Sequence, residues 1–273
     1  MVLARSRPVA ISVFILVTIA CSLYLLESSS HIRDYVHKYS LKDQSNDEKP
    51  IDKKPPTKLL VVASMPDKNT SWIEDLDWPH TIRTPGLINK GREANLYLTY
   101  IIENYHNLSD VTAFTHHHRT AWHVDGPEKS IVPMLSHLRL KYVQQEGFVN
   151  FRCGSVPGGC NKFLRPYGSK DLTMIHYLKA YEYMFDEPCP EVIAAPCCAQ
   201  FAVSKEAILR RTLADYKRYQ DWLMITDLPD YNSGRVFEYL WHVIFGKDSV
   251  HCPNTKACYC NNFGWCAEGT YYP

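Results

Sequence analysis

The sequence predicts a single mixed α/β domain over residues 58–273, on the strength of three observations. Short apolar runs alternate with helical patterns along this part of the chain, as in proteins that cover a central sheet with helices. About 215 residues are enough for one domain with a sizeable core. Nine of the ten cysteines lie beyond residue 150, which favours a disulfide-clamped C-terminal tail.

The first 57 residues predict a membrane anchor followed by a linker. Residues 9–26 form an uncharged apolar run, which at about 1.5 Å per residue spans about 27 Å as a helix, enough to cross a thin bilayer. Arg5 and Arg7 precede this run, so residues 1–8 are expected in the cytosol. Residues 27–57 are rich in serine, lysine and aspartate and predict a disordered stem. We therefore expect a single-pass type II membrane protein of the ER or Golgi, with a cleaved signal peptide as the alternative.

Strands and helices are expected in alternating order along the luminal domain. Strands are predicted where β-branched or aromatic residues cluster, at Lys58–Ser64, Val111–Thr115, Gly147–Arg152 and Ala199–Val203. Helices are predicted where apolar residues recur at spacings of three and four, at Glu93–His106, Glu128–Leu140, Leu172–Phe185, Lys205–Tyr216 and Gly234–Phe245. Ser71 and Ser204 are expected to cap helices. Residues 246–273 show little helical pattern and are expected to be clamped over the sheet by disulfides.

The cysteines agree with a luminal domain, because a cysteine density of this kind indicates disulfides in an oxidising compartment. The alternative is a zinc site formed by four tail cysteines, Cys252, Cys258, Cys260 and Cys266. Their spacing lacks the paired Cys-x-x-Cys units of most zinc sites. A bridge between Cys153 and Cys160 would close a small glycine-rich loop. Because nine is an odd number, one luminal cysteine is expected to be free or to bridge between chains.

Two sequons also fit a chain that enters the secretory pathway. Asn69 and Asn107 each begin an Asn-x-Ser pattern in a predicted loop, and both are expected to carry glycans. The net charge is +1 and the basic residues are scattered, which gives no basis for a nucleic-acid partner.

The stretch from Val111 to Asp125 is the main candidate for a functional site. A predicted strand leads into four of the chain's twelve histidines within eight positions. Because alternate residues of an extended segment share a face, His116 and His118 are expected to point one way and His117 the other. Imidazoles act as general acids or bases near neutral pH, and His116 and His118 with His123 or Asp125 would also make an open metal site. The alternative is a polar loop with solvated histidines.

Basic and aromatic residues near this stretch are candidates for substrate binding. Gly91 lies just before a predicted helix, so Lys90 and Arg92 together with the helix N-terminal amides would form an anion site. The alternative is a simple helix start with Arg92 on the surface. Arg119 has a guanidinium that can bind phosphate or carboxylate through two parallel hydrogen bonds. Trp122 would stack on a sugar or a base, with a place in the core as its alternative.

Several blocks of sequence occur together in one order. They are Leu87–Ala94, Tyr97–Tyr105, Phe114–Arg119, Pro196–Ser204, Phe237–His242, His251–Pro253 and Ala257–Cys260. In this order they resemble a widespread fungal secretory-pathway family that is catalogued as a domain of unknown function, over about residues 59–266. The resemblance implies a luminal domain but no particular activity.

The layout is also distantly similar to that of A-type glycosyltransferases. This likeness implies a single three-layer α/β sandwich with a mixed sheet, in which residues 59–64 lie near a nucleotide and residues 199–204 lie on the acceptor side. It further implies that Glu238 is the acidic residue that this fold carries on a helix and that His251 belongs to a metal shell. Where that family has an Asp-x-Asp metal motif, this chain has three successive histidines. Imidazole ligands favour zinc, iron or copper over manganese or magnesium.

Three functions are consistent with these observations. The first is a membrane-anchored luminal transferase, glycosyltransferase-like, that acts on a small molecule or glycan with His116, His118 and Glu238 as catalytic residues. In this hypothesis a divalent metal, if the enzyme uses one, binds His116, His118, His123 and His251. The second is a metal-dependent oxidoreductase or cyclase of fungal secondary metabolism. The third is a non-enzymatic, disulfide-rich interaction domain.

Overall fold

The computed structural model describes residues 54–86, 89–154, 160 and 163–267. This part of the chain is a mixed α/β protein built on a five-stranded sheet. Its strands are β1 (Lys58–Ala63), β2 (His80–Arg83), β3 (Val111–His116), β4 (Phe148–Asn150) and β5 (Phe201–Ser204). Their order across the sheet is β2-β1-β3-β5-β4.

The sheet combines a parallel half with an antiparallel half. β1 lies between β2 and β3 and is parallel to both, whereas β5 is antiparallel to β3 and to β4. β1 and β3 are apolar along most of their length, as expected for parallel strands covered on both faces. Ala63 at the end of β1 is in register with His116 at the end of β3. The carboxyl ends of these two strands therefore meet at one edge, where ligands bind in open α/β sheets.

Helices cover both faces of this sheet. They are α1 (Glu93–Asn104), α2 (Ile131–His137), α3 (Leu140–Glu146), α4 (Leu172–Phe185), α5 (Lys205–Ile208), α6 (Leu213–Ile225), α7 (Asp230–Glu238), α8 (Trp241–Ile244) and α9 (Thr255–Phe263). Helices α1, α4, α6 and α7 pack on one face against sheet residues that include Phe114 and Phe201. On the other face, α2, α9 and the 3-10 turn Ser71–Asp75 pack against Leu60 and Val62. The protein thus has one hydrophobic core on each side of the sheet.

Several predicted elements are confirmed. The first strand, the strand that begins at Val111 and the helix that begins at Glu93 match within two residues, and Leu172–Phe185 is helical over its whole predicted length. The predicted Ser204 cap is also present, because its side chain accepts a hydrogen bond from the Ala207 amide. The predicted Ser71 cap is wrong, since Ser71 lies inside a 3-10 turn that Thr70 precedes.

Three predicted helices are broken or shorter in the structure. The prediction of one helix over Lys205–Tyr216 is wrong because α5 ends early and Thr212 begins α6 with a capping box, in which Thr212 and Asp215 bond reciprocally. The predicted helix Gly234–Phe245 is divided between α7, which begins just after Pro229, and α8. The helix predicted over Glu128–Leu140 is reduced to α2, which Ser130 caps.

One strand has no counterpart in the sequence analysis. β2 is four residues long, lies at the edge of the sheet and alternates between exposed and half-buried residues. Its sequence His-Thr-Ile-Arg lacks the apolar run that predicts a buried strand. Short, partly charged edge strands of this kind protect a sheet from pairing with another chain.

The predicted disulfide clamp of the tail is confirmed, but the pairing is different from the one expected. Cys153 bonds Cys258 and Cys160 bonds Cys252, so the proposed bridge between Cys153 and Cys160 is wrong. Both bonds fasten the tail to a segment that follows β4. Two further bonds join Cys197 to Cys198 and Cys260 to Cys266. Among the described residues one cysteine, the buried Cys189, is free, in agreement with the odd number of cysteines beyond residue 150.

The predicted cytosolic tail, the anchor at residues 9–26 and nearly all of the stem lie outside the described residues. Within the described ranges, no helix has the length and apolar character needed to span a membrane. The sequon residues Asn69 and Asn107 are both exposed and lie between regular elements. Their side chains are accessible, and their glycosylation stays a prediction.

Candidate functional site

A pocket of about 720 Å³ lies at the shared carboxyl edge of β1 and β3. This volume is in the range of small-molecule sites in proteins. Its polar lining comes from the start of α1, the loop after β3, the loop before β5, and α7. The side chains that matter below are Arg92, Glu93, His116, His117, His118, Trp122, His123, Cys197, Cys198, Tyr231, Arg235 and Glu238.

Two glycines bring the start of α1 against α6 and α7. Gly91 has a φ of +67°, and a Cβ atom at this position would lie 2.4 Å from the Leu223 side chain of α6. A Cβ atom on Gly234 of α7 would approach the Gly91 carbonyl oxygen to 3.0 Å. This close backbone packing requires residues without side chains, and it places Arg92 and Glu93 beside the acidic end of α7.

The histidines after β3 gather in the pocket. The rings of His116 and His118 are 6.4 Å apart, those of His116 and His123 are 5.5 Å apart, and those of His117 and His118 are 3.9 Å apart. The expectation that His117 points away from its neighbours is wrong, because β3 ends at His116 and the alternation of an extended chain ends with it. The Trp72 indole donates a hydrogen bond of 2.7 Å to the His117 carbonyl oxygen and helps to hold this turn.

His116 is the most enclosed of these histidines. Its Nε2 atom is buried without a hydrogen-bond partner among the described residues, and the Glu93 Oε1 atom lies 3.9 Å away. Burial, followed by the charges of His118 and His117, lowers the pKa of His116 to about 3. Burial likewise lowers the pKa of His123 to about 4. Both rings are therefore neutral near pH 7, and each can accept a proton only when a ligand or a neighbouring carboxylate compensates the charge.

Two carboxyl groups face these imidazoles. Burial is the largest cause that raises the pKa of Glu93. Burial and then the charge of Glu93 raise the pKa of Glu238 to about 7, against the opposing charges of Arg235 and Arg92. Two acidic groups that share one low-dielectric site resist ionising together. Near neutral pH the pair therefore holds a proton that can be exchanged with a bound molecule.

Two arginines and a tyrosine form the mouth of the pocket. The guanidinium carbons of Arg92 and Arg235 lie 5.0 Å and 4.8 Å from the centre of the Tyr231 ring, a cation–π geometry that fixes both side chains. Neither arginine forms an ion pair with a carboxylate in the part of the chain that the structure describes. Their two positive charges are thus available to an anionic ligand.

Trp122 lies on the rim and is 66% exposed, so its place is not in the core. The guanidinium of Arg152 lies 5.7 Å from its ring. Arg152 itself is buried and approaches the Asp125 carboxylate to 3.7 Å. The exposed indole of Trp122, with the Arg152 guanidinium near its ring, therefore offers a flat apolar face on which a ring of a ligand can stack.

Three other predicted site residues lie elsewhere. The Lys90 ammonium donates to the Leu228 carbonyl oxygen at 2.6 Å, and Arg119 pairs with Asp75 at 2.7 Å. His251 borders a separate cavity of about 90 Å³ beside α3 and α9. The structure therefore brings together His116, His118, His123, Arg92, Trp122 and Glu238, but not these three.

The four proposed metal ligands do not all lie in one cavity. Among the described residues no three histidine, cysteine or acidic side chains converge in a way that could hold a metal ion. His251, the proposed fourth ligand, lines a different cavity from the other three histidines.

Four features of the site were missed in the sequence. The sequence identifies Glu93 only as the first residue of a helix. The helix that contains Tyr231 and Arg235 begins at Asp230, four residues before its predicted start at Gly234. The bond between Cys197 and Cys198 was not expected either. The glycines at positions 91 and 234 were the available signal, because a glycine beside or inside a helix indicates close backbone packing.

Fold and site together define an α/β protein with an acid-and-imidazole pocket at the carboxyl edge of its sheet. The chain belongs to the family described as "Protein of unknown function (DUF3431)", whose model matches residues 60–261. This confirms the resemblance to a family of unknown function. No curated protein and no solved structure matches the chain. The distant likeness to A-type glycosyltransferases thus has no support from these comparisons.

Proposed function

We propose that the protein is a membrane-anchored luminal transferase, glycosyltransferase-like, that moves a group from a small anionic donor to a hydroxyl group of an acceptor such as a glycan. The observation that carries this proposal is the pocket at the ends of β1 and β3. It combines a carboxyl group of near-neutral pKa, Glu238, with the two arginines at its mouth, Arg92 and Arg235.

Glu238 is the proposed general base. A base is most effective when its pKa lies near the working pH, and the Glu238 pKa of about 7 meets this condition. As Glu238 takes the proton of the acceptor hydroxyl, the Glu93 Oε1 atom, 3.9 Å from the His116 Nε2 atom, would stabilise a proton passed on to that ring. The three groups would in this way hold the transferred proton inside the pocket while the acceptor oxygen attacks.

Arg92 and Arg235 are proposed to bind the anionic part of the donor. Planar guanidinium groups recognise phosphate or carboxylate through paired hydrogen bonds. In A-type glycosyltransferases with an Asp-x-Asp motif, a metal ion supplies positive charge to the leaving group. Here the two guanidinium groups would supply it, and the exposed Trp122 would stack on a sugar or base of the bound molecule.

The arrangement of the sheet supports the glycosyltransferase-like part of this proposal. β1 and β3 correspond in the likeness to the nucleotide strand and the strand of the metal motif, and they are direct neighbours. β5, which corresponds to the acceptor-side strand, pairs with β3 on its other side. One core on each face of the sheet is what a three-layer sandwich requires. The apolar run at residues 9–26 and the exposed sequons support the membrane and luminal placement.

The test is a transfer assay with the full-length chain in detergent. Nucleotide-activated sugars are offered one at a time with a set of glycan acceptors, and labelled product is measured. At least one donor is expected to be used, and Glu238→Gln is expected to lower the rate by about 10²- to 10⁴-fold, the usual contribution of a general base. Glu74→Gln, which changes an exposed acid outside the pocket, is the matched control and should leave the rate unchanged.

Two outcomes of this assay would contradict the proposal. If no donor is used and no nucleotide raises the melting temperature, the non-enzymatic interaction domain becomes the better hypothesis. If transfer occurs but Glu238→Gln behaves as the wild type, the pocket is not the place of the reaction.

A further inference from the structure

One wall of the pocket is a disulfide between neighbouring residues. Cys197 and Cys198 are bonded to each other, and both are half-buried in the pocket lining. The other three disulfides of the described chain do not line this pocket. Of the four disulfides in the described part of the chain, the bond between Cys197 and Cys198 is therefore the one that is accessible to a molecule in this pocket.

This disulfide does little to restrict the unfolded chain. A disulfide stabilises chiefly by closing a loop, and its effect grows with the number of residues enclosed. The bonds from Cys153 and Cys160 join residues that are 105 and 92 positions apart, whereas Cys197 and Cys198 are 1 position apart. Global stability therefore does not explain why this bond is present.

The backbone beside the bond is in an unfavourable conformation. Cys198 and Ala199 have φ values of 88° and 48°, in the left-handed region that favours glycine. Such residues persist where the surrounding structure holds them and are common at functional sites. Since β5 begins at Phe201, opening the bond would let the pocket wall between Cys197 and the sheet relax.

A buried guanidinium faces both sulfur atoms. The Arg152 Nη1 atom lies 3.4 Å from the Cys197 Sγ atom and 3.7 Å from the Cys198 Sγ atom. A neighbouring arginine favours the thiolate form of cysteine, and a sulfur that leaves as a stable thiolate leaves faster in thiol–disulfide exchange. Arg152 would thus assist reduction of this bond in particular.

From this geometry we infer that Cys197–Cys198 is a reversible redox site, reduced by small-molecule thiols that enter the pocket and re-formed by the corresponding small-molecule disulfide. The thiolate of one thiol molecule attacks one Sγ atom, the bond between the two cysteines breaks, and its electron pair leaves with the other sulfur beside Arg152. A second thiol molecule then displaces the first from the mixed disulfide. Two small thiols become one small disulfide, and their two electrons and two protons end on the two cysteines.

Reduction would change the shape of the pocket without unfolding the protein, because the bonds that clamp the tail stay closed. The inference goes beyond the proposed transferase activity and does not depend on it. Thiol chemistry at this site is measured on the cysteines themselves, so failure of the transfer assay would leave it intact.

The first experiment titrates the native full-length chain with glutathione buffers of increasing reduced fraction. Thiols are trapped with iodoacetamide and assigned by peptide mass. Cys260–Cys266 is the control inside the same chain, because it also closes a short loop and its Cys266 is exposed. Cys197 and Cys198 are expected to be trapped as thiols at a concentration of reduced glutathione at least tenfold lower than the concentration that reduces Cys260–Cys266. Reduction together with or after Cys260–Cys266 would overturn the inference.

The second experiment measures the reactivity of one pocket thiol at a time. In Cys197→Ser the remaining Cys198 should react with iodoacetamide at pH 7 at least tenfold faster than Cys189, whose buried thiol has its pKa raised to about 12. Should this variant not fold, Cys198→Ser asks the same question of Cys197. A pocket thiol that reacts no faster than Cys189 contradicts the inference.

Discussion

The described part of the chain contains two groups of buried or half-buried histidines that differ in what surrounds them. In the pocket group, His116 and His123 each have a buried Nε2 atom with no hydrogen-bond partner among the described residues. In the tail group, His242 and His251 stack with ring centres 6.4 Å apart, and the His242 Nε2 atom is 3.0 Å from the Ser249 carbonyl oxygen. The first group lines about 720 Å³ of open space, whereas His251 lines about 90 Å³.

The pKa values alone do not separate the two groups. Burial lowers the pKa of His242 and of His251 to about 4, which is also the value for His123. A lowered histidine pKa therefore indicates burial in this protein and not function. The difference lies in the available space and in the neighbours, because only the pocket group faces acids with raised pKa values. We assign chemistry to the first group and packing to the second.

The largest expected effect is on activity in the pocket group. The double variant His116→Ala, His118→Ala should lower the transfer rate by about 10²-fold or more, because it removes groups that exchange protons with Glu93 and a bound ligand. Secretion and melting temperature should change little, since the His116 Nε2 atom has no hydrogen bond to lose. Both are measured on the same preparation. If secretion fails instead, these histidines belong with the structural group.

The tail group should show the opposite behaviour. His242 is 1% exposed, and His242→Ala would leave a cavity and an unpaired Ser249 carbonyl, at a cost of about 2–4 kcal/mol in unfolding free energy. Urea denaturation of the purified protein measures this loss, and the transfer rate per folded molecule should stay the same. His137→Ala, at an exposed position, is the control and should cost less than about 0.5 kcal/mol. An equal loss at both positions would remove the distinction between the groups.

A smaller effect is expected in the pH dependence of stability. Because the folded-state pKa of Glu238 is raised to about 7, the folded protein keeps a proton that the unfolded chain loses above its ordinary pKa of about 4.3. This contribution to stability is complete at low pH and is lost as the pH rises through 7. Glu238→Gln should therefore raise the melting temperature relative to the wild type more at pH 8 than at pH 5. A constant difference across this range would mean that Glu238 titrates normally.

The sequence predicts those parts of the fold whose pattern is local. The apolar runs of β1 and β3 and the amphipathic pattern of α4 are long enough to identify them. The break between α5 and α6 was missed because the apolar spacing continues across it, although Thr212 and Asp215 carry a capping signal there. Cysteine pairing could not be predicted, since spacing alone does not tell which segments the fold brings together.

The site is predictable to the extent that it comes from one segment. His116, His118 and His123 lie within eight residues, and Trp122 lies among them. Glu93 and Arg235 join them only because α1 and α7 pack closely where Gly91 meets Gly234. That contact is a property of the folded core, and two isolated glycines do not reveal it in a single sequence.

The carboxylate of Asp125, just after the last pocket histidine, depends on the end of the chain. Its Oδ2 atom accepts hydrogen bonds from the Cys153 and Gly154 amides at 2.9 Å and 2.7 Å and from the Tyr259 hydroxyl at 3.0 Å. Tyr259 follows Cys258, which is bonded to Cys153. Tyr259 lies 134 positions after Asp125, so this third hydrogen bond forms only after α9 has left the ribosome. A chain that ends before α9 would contain every pocket histidine and still lack one of the bonds that hold the loop after them.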